Sequence, residues 1–129
     1  MGVRFATVAS TAIVASPGAA AETIICTTPP INLFADNALV SIWWWFNMTL
    51  QATVSTVAFK LRRGPTTSDT QINRTAAFTW AGGSTCFYSG CYVDTPGVVA
   101  EQQYCITVTC NSAGGASLVN DVCLACMVL

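Results

Sequence analysis

Residues 102–110 read QQYCITVTC, and within that run Tyr104, Ile106 and Val108 alternate against Cys105, Thr107 and Thr109. A period of two marks a strand with one face in a core and the other turned away from it. The same kind of run recurs on either side. Upstream lie 22–28 (ETIICTT, stopped by Pro29-Pro30), 38–46 (ALVSIWWWF) and 54–62 (VSTVAFKLR, stopped by Gly64-Pro65). Then come 70–80, ending in Gly82-Gly83, and 85–93, with a break at Ser89-Gly90. Asp94-Thr95-Pro96-Gly97 carries Pro and Gly where a turn wants them, and 117–129 closes the chain. No stretch repeats apolar residues at helical spacing over several turns.

The first residues complete the set. Val3, Phe5, Thr7 and Ala9 alternate with Arg4, Ala6, Val8 and Ser10, and Ile13-Val14 extends the run to Pro17-Gly18. Residues 1–21 also imitate a secretory signal, with Arg4, an apolar stretch and Ala19-Ala20-Ala21 before Glu22. A spanning helix fails, because 5–16 is short of the roughly 20 apolar residues required. We read the segment as a retained extended arm, docked on a neighbour or serving as the first strand of the chain's own sheet. That gives about eight strands, the number of two facing four-stranded sheets. The expected fold is therefore all-β, a single-domain antiparallel β-sandwich of jelly-roll type over residues 22–129, with an N-terminal arm over 1–21.

Composition then removes functions. Of 129 residues 53% are hydrophobic and 9% charged, with a formal net charge of −1 and no histidine. Disorder needs the opposite balance. Arg4, Lys60, Arg62, Arg63 and Arg74 are too few to neutralise a phosphate backbone, so no nucleic-acid partner is expected. Without histidine the Ser-His-Asp and Cys-His nucleophile systems are unavailable, and Asp36, Asp69, Asp94, Glu101 and Asp121 show no pairing for acid–base work. We expect no enzyme, no catalytic residue, no cofactor and no membrane partner. A chain this apolar is poorly soluble alone, which points to burial against other subunits.

Seven cysteines stand at 26, 86, 91, 105, 110, 123 and 126, so at least one is unpaired or bonds across chains. Cys86 and Cys91 bracket Ser89-Gly90 as a hairpin disulfide would, and a link from Cys105 or Cys110 to the last strand is a second arrangement. Equally, some act as small buried hydrophobes. Cys123-x-x-Cys126 lacks the βαβ setting of a redox motif, and Cys105, Cys110, Cys123 and Cys126 are wrongly spaced for zinc. No metal site is expected.

On a strand Trp43 and Trp45 share one face and Trp44 takes the other, so at least one large aromatic lies outside the core. Such a residue anchors a partner or lies under a loop, and a carbohydrate-stacking platform is the sharper reading beside subunit packing. Arg62-Arg63 is the basic cluster, read as an interface ion pair or a solvated rim. Asn47-Met48-Thr49 and Asn73-Arg74-Thr75 match glycosylation sequons, a short motif that arises by chance.

Residues 54–64 ending in Lys60-Leu61-Arg62-Arg63-Gly64, then Asp94-Thr95-Pro96-Gly97, Tyr104-Cys105-Ile106-Thr107-Val108 and Ser117-Leu118-Val119, resemble small jelly-roll proteins of tailed bacteriophages. In several of these a tumour-necrosis-factor-like trimer decorates the capsid as a cement protein. The resemblance implies a structural virion protein on the outer capsid surface, a homotrimer bridging neighbouring capsomers, with the major capsid protein as partner. Arg4, Phe5, Trp43, Trp44, Trp45, Arg62 and Arg63 are the candidate subunit or capsid contacts. The alternative is a glycan- or host-binding module, like a spike or fibre, using Trp43 to Trp45.

Overall fold

The structure, a computed structural model, describes residues 3–14, 22–34, 38–49, 54–74, 78–81, 85–112 and 116–129. They form eleven strands: β1 (Val3–Val14), β2 (Glu22–Thr27), β3 (Ile31–Leu33), β4 (Val40–Thr49), β5 (Val54–Arg63), β6 (Thr70–Arg74), β7 (Phe78–Ala81), β8 (Thr85–Asp94), β9 (Val99–Gln102), β10 (Tyr104–Ser112) and β11 (Ala116–Val128). One sheet runs β1-β11-β4-β8. The other runs β2-β10-β5-β6, with β7 beside β5, and β3 and β9 form a separate ribbon. Every pairing is antiparallel.

The pairing is nested. The first strand meets the last, β2 meets β10, β3 meets β9, β4 meets β8, and β5 meets β6 and β7. This is one long hairpin rolled up on itself, and two further pairings, β11 with β4 and β10 with β5, close the roll into two facing sheets. The fold is a jelly roll.

β4 shows why the sequence folds this way. Val40, Ile42, Trp44, Phe46 and Met48 are buried, whereas Ser41, Trp43, Trp45, Asn47 and Thr49 are not. Across the ladder Phe46 pairs with Val122, Trp44 with Leu124 and Ile42 with Cys126, all buried. From the facing sheet Val57, Phe59, Leu61, Tyr104, Ile106 and Val108 complete the core. Each such side chain removed from water contributes about 1.5–3 kcal/mol before entropy is charged against it.

Two expectations need correction, and one element is an addition. Residues 70–80 are two short strands, each paired to a different half of β5. Ser89-Gly90 does not break its strand, for β8 runs through it. Gly90 faces Trp44 in register, and a Cβ there would stand 2.5 Å from the indole Cζ2. The glycine makes room for a buried tryptophan inside a strand. The ribbon of β3 and β9 was not expected, because three residues behind Pro29-Pro30 carry too little pattern. In β9, Glu101 adopts φ 60°, and its N–H donates to Asn32 Oδ1 at 3.0 Å.

Candidate functional site

The second sheet carries the charge. Arg62, on β5, donates from Nε and Nη2 to both oxygens of Glu22 at the start of β2 (2.7 and 2.8 Å), and from Nη1 to the Asp69 carbonyl. Lys60 and the Thr107 hydroxyl also donate to Glu22. These partners, the Arg62 hydrogen bonds first among them, outweigh burial and hold the Glu22 carboxyl down at about 2. A carboxyl below its ordinary value of 4.5 adds stability above that pH and loses it as acid titrates the group towards 2. Thermal melts of the wild type are therefore expected to fall in Tm between about pH 4.5 and 2 more steeply than melts of Glu22→Gln. That variant is expected to lose about 1–3 kcal/mol at neutral pH. Equal acid slopes in the two proteins would contradict the assignment.

Its neighbour Arg63 forks onto Asp94, with Nε 2.9 Å from Oδ2, and the Tyr104 hydroxyl donates to the same oxygen at 3.0 Å. Asp94 ends β8 in one sheet, whereas Arg63 and Tyr104 lie on β5 and β10 in the other. The group clasps the two sheets together. Burial and the Asp94 carboxylate push the Tyr104 phenol above its ordinary range.

These contacts revise the expected contact residues. Arg62, at 8% exposure, is committed to partners within its own chain and is withdrawn as a contact for another subunit. So is Trp44, whose indole is core. Arg63 keeps a partly open side chain but is held by Asp94. Arg4 and Phe5 sit on β1, in register with Cys126 and Ala125; their side chains lie outside the described residues. The Cys86–Cys91 bridge is also overturned. Five residues along one continuous strand put their Cα atoms about 17 Å apart, far beyond disulfide reach. Cys91, Cys105 and Cys123 are free thiols, while Cys26 and Cys126 are buried. Burial pushes the Cys26 and Cys105 thiols up to about 11. The side chains of Cys86 and Cys110 lie outside the described residues.

Two surfaces remain open. The first is the outer face of the β1-β11-β4-β8 sheet, where Trp45, Phe87, Cys91 and Val93 are exposed and Trp43 and Cys123 partly so. The second lies at one end of the sandwich. Phe34 follows β3, Leu39 precedes β4, Val98 precedes β9 and Leu129 follows β11, and these four are exposed by 84%, 41%, 56% and 58%. The Leu129 N–H donates to the Leu39 carbonyl, and Leu33 pairs with Val99 beside Phe34 and Val98. The sequence reading missed this group, since its members fall at strand ends where alternation carries no face information.

Fold and surface together define a jelly-roll domain with exposed apolar patches. Solved structures share that fold. The chain resembles a protein of the T13 viral particle of infectious bursal disease virus, at TM-score 0.72 and 8% identity over 98% of this chain and 31% of the other. The Gx strain of the same virus gives 0.66 and 9% over 98% and 32%. The VP2 subviral particle of that virus gives 0.56 and 11% over 98% and 33%. This chain thus spans about a third of the length of those proteins. No protein-family model and no curated protein matches the sequence.

Proposed function

We propose that the chain is a non-catalytic structural protein of a virus particle, a homotrimer seated on the outer capsid surface that bridges neighbouring capsomers of the major capsid protein. The observation that carries this reading is the end patch of Phe34, Leu39, Val98 and Leu129, apolar surface that the fold leaves open. Two further features support it. The fold is shared with a virus-particle protein, and β1, a twelve-residue strand, pairs with β11 alone among the described residues. A long unpaired edge invites aggregation unless a neighbour covers it, and strand addition is one way to cover it. A trimer presents three copies of each weak contact to the shell at once, so modest contacts sum through effective concentration.

Size-exclusion chromatography with light scattering tests the reading. The wild type is expected at three times its chain mass with or without reductant. Phe34→Ser together with Leu129→Ser is expected to weaken association by about 30-fold or more, as for truncated anchor residues, while the sheet signal in circular dichroism stays unchanged. A wild type that runs as a stable monomer overturns the proposal.

A further inference from the structure

The end patch leaves the outer face of the β1-β11-β4-β8 sheet unused, and that face has its own chemistry. Two adjacent rows of the ladder cross it. Cys123, Trp45 and Ser89 form one row, and Asp121, Asn47 and Phe87 the next. At ordinary strand spacing these six positions cover about 10 by 7 Å. The Trp45 and Phe87 rings are nearly parallel (19°), with centroids 6.1 Å apart. That separation is too wide for full overlap, and the two residues keep 38% and 63% of their surface open. Beside them the Asn47 amide donates to Asp121 Oδ2 at 3.4 Å. That contact uses one amide N–H and one carboxylate oxygen, so the second amide N–H, the amide carbonyl and the other carboxylate oxygen keep hydrogen-bonding capacity. A further row continues the polar border, with the Thr49 and Thr85 hydroxyls 3.4 Å apart and Asn120 donating to Thr49.

From this juxtaposition we infer that the face is a carbohydrate platform: Trp45 and Phe87 carry the apolar C–H face of a hexopyranose, and Asn47 and Asp121 hold its hydroxyls. A sugar ring is the ligand that presents both chemistries at once, an apolar face and, at its rim, hydroxyls that donate and accept. Charge narrows the class. The described cationic side chains Lys60, Arg62 and Arg63 belong to the other sheet, and Asp121 is an exposed carboxylate on the outer face of this one. A sialic acid or uronate would meet a carboxylate with no counter-charge among the described side chains, so the class inferred is a neutral ring. The platform is independent of the end patch and of the trimer.

Affinity electrophoresis of the full chain through gels carrying neutral polysaccharides (glucan, galactan, mannan) and acidic ones (polygalacturonate, polysialate) tests it. The wild type is expected to be retarded by at least one neutral gel and by neither acidic gel. Trp45→Ala and Phe87→Ala are each expected to weaken retardation by about tenfold, the equivalent of 1.4 kcal/mol. Asn47→Ala is expected to do the same with the rings in place. Mass by light scattering is expected to stay that of the wild type in all three. The inference is overturned if no neutral gel retards the wild type, if the acidic gels retard it more, or if the Trp45→Ala, Phe87→Ala double variant binds as the wild type does. It is equally overturned if these variants change the oligomeric mass, since the face is then an interface between copies.

Discussion

Asp94→Ala is expected to cost about 3 kcal/mol, near the lower end of the range for removing one partner of a buried ion pair. The carboxylate, 3% exposed, accepts the Arg63 fork and the Tyr104 hydroxyl together. Its loss leaves two groups with different recourse. The Arg63 side chain keeps a third of its surface and can take water, which holds the cost below the upper end. Tyr104 is fully buried and cannot, so its hydroxyl bears the desolvation cost. Asp94→Asn keeps the shape but not the charge and is expected to lose about half as much. Urea denaturation gives the values, and a cycle with Tyr104→Phe isolates the coupling, expected at about 1–2 kcal/mol. If Asp94→Ala melts within about 0.5 kcal/mol of the wild type, as substitutions away from such features do, the clasp does not hold the sheets. Because the three residues come from both sheets, the loss is expected in the global transition and not as local fraying.

The strands were legible in the chain because alternation and Pro or Gly stops are local signals. Residues 102–110 carry their own inside and outside, and the eight runs map onto the eight principal strands once β6 and β7 are taken as one interrupted strand. What could not be read is set by distance in sequence. Glu22 and Arg62 are forty residues apart, and Arg63 and Asp94 thirty-one. Neither pair has a spacing that predicts it, so Arg62-Arg63 looked like free charge. Alternation put Trp44 opposite Trp43 and Trp45 but gave no sign of which side was inside. Gly90 settles it by accepting the Trp44 indole across the ladder. Phe87 was not noticed at all, since its place beside Trp45 depends on the register of β4 against β8. Of the seven residues proposed as contacts, Trp43, Trp45 and Arg63 have described side chains that reach solvent, and Arg63 is held by Asp94.

The same register makes Phe46 and Trp45 neighbours in sequence with opposite fates. Phe46→Ala is expected to destabilise the protein by about 3–5 kcal/mol, the usual cost of deleting a buried phenylalanine ring. Its ring lies edge-on to Phe59 of the facing sheet (centroids 4.8 Å, 87°) and 5.4 Å from Tyr88, and Phe59 and Tyr88 are themselves edge to face at 4.4 Å. The three aromatics join both sheets at mid-strand, so alanine leaves a cavity that neither sheet can close without moving the other. Phe46→Leu keeps most of the volume and is expected to cost less than about 1.5 kcal/mol beyond the lost ring contacts. Trp45→Ala removes a larger side chain from the adjacent position and is expected to cost less than about 1.5 kcal/mol, since it forfeits mainly the pairing with Phe87. Denaturant midpoints measured side by side decide the matter. A strand slipped by one residue would exchange the two results, so a costly Trp45→Ala beside a mild Phe46→Ala would refute both the core and the outward platform in one experiment.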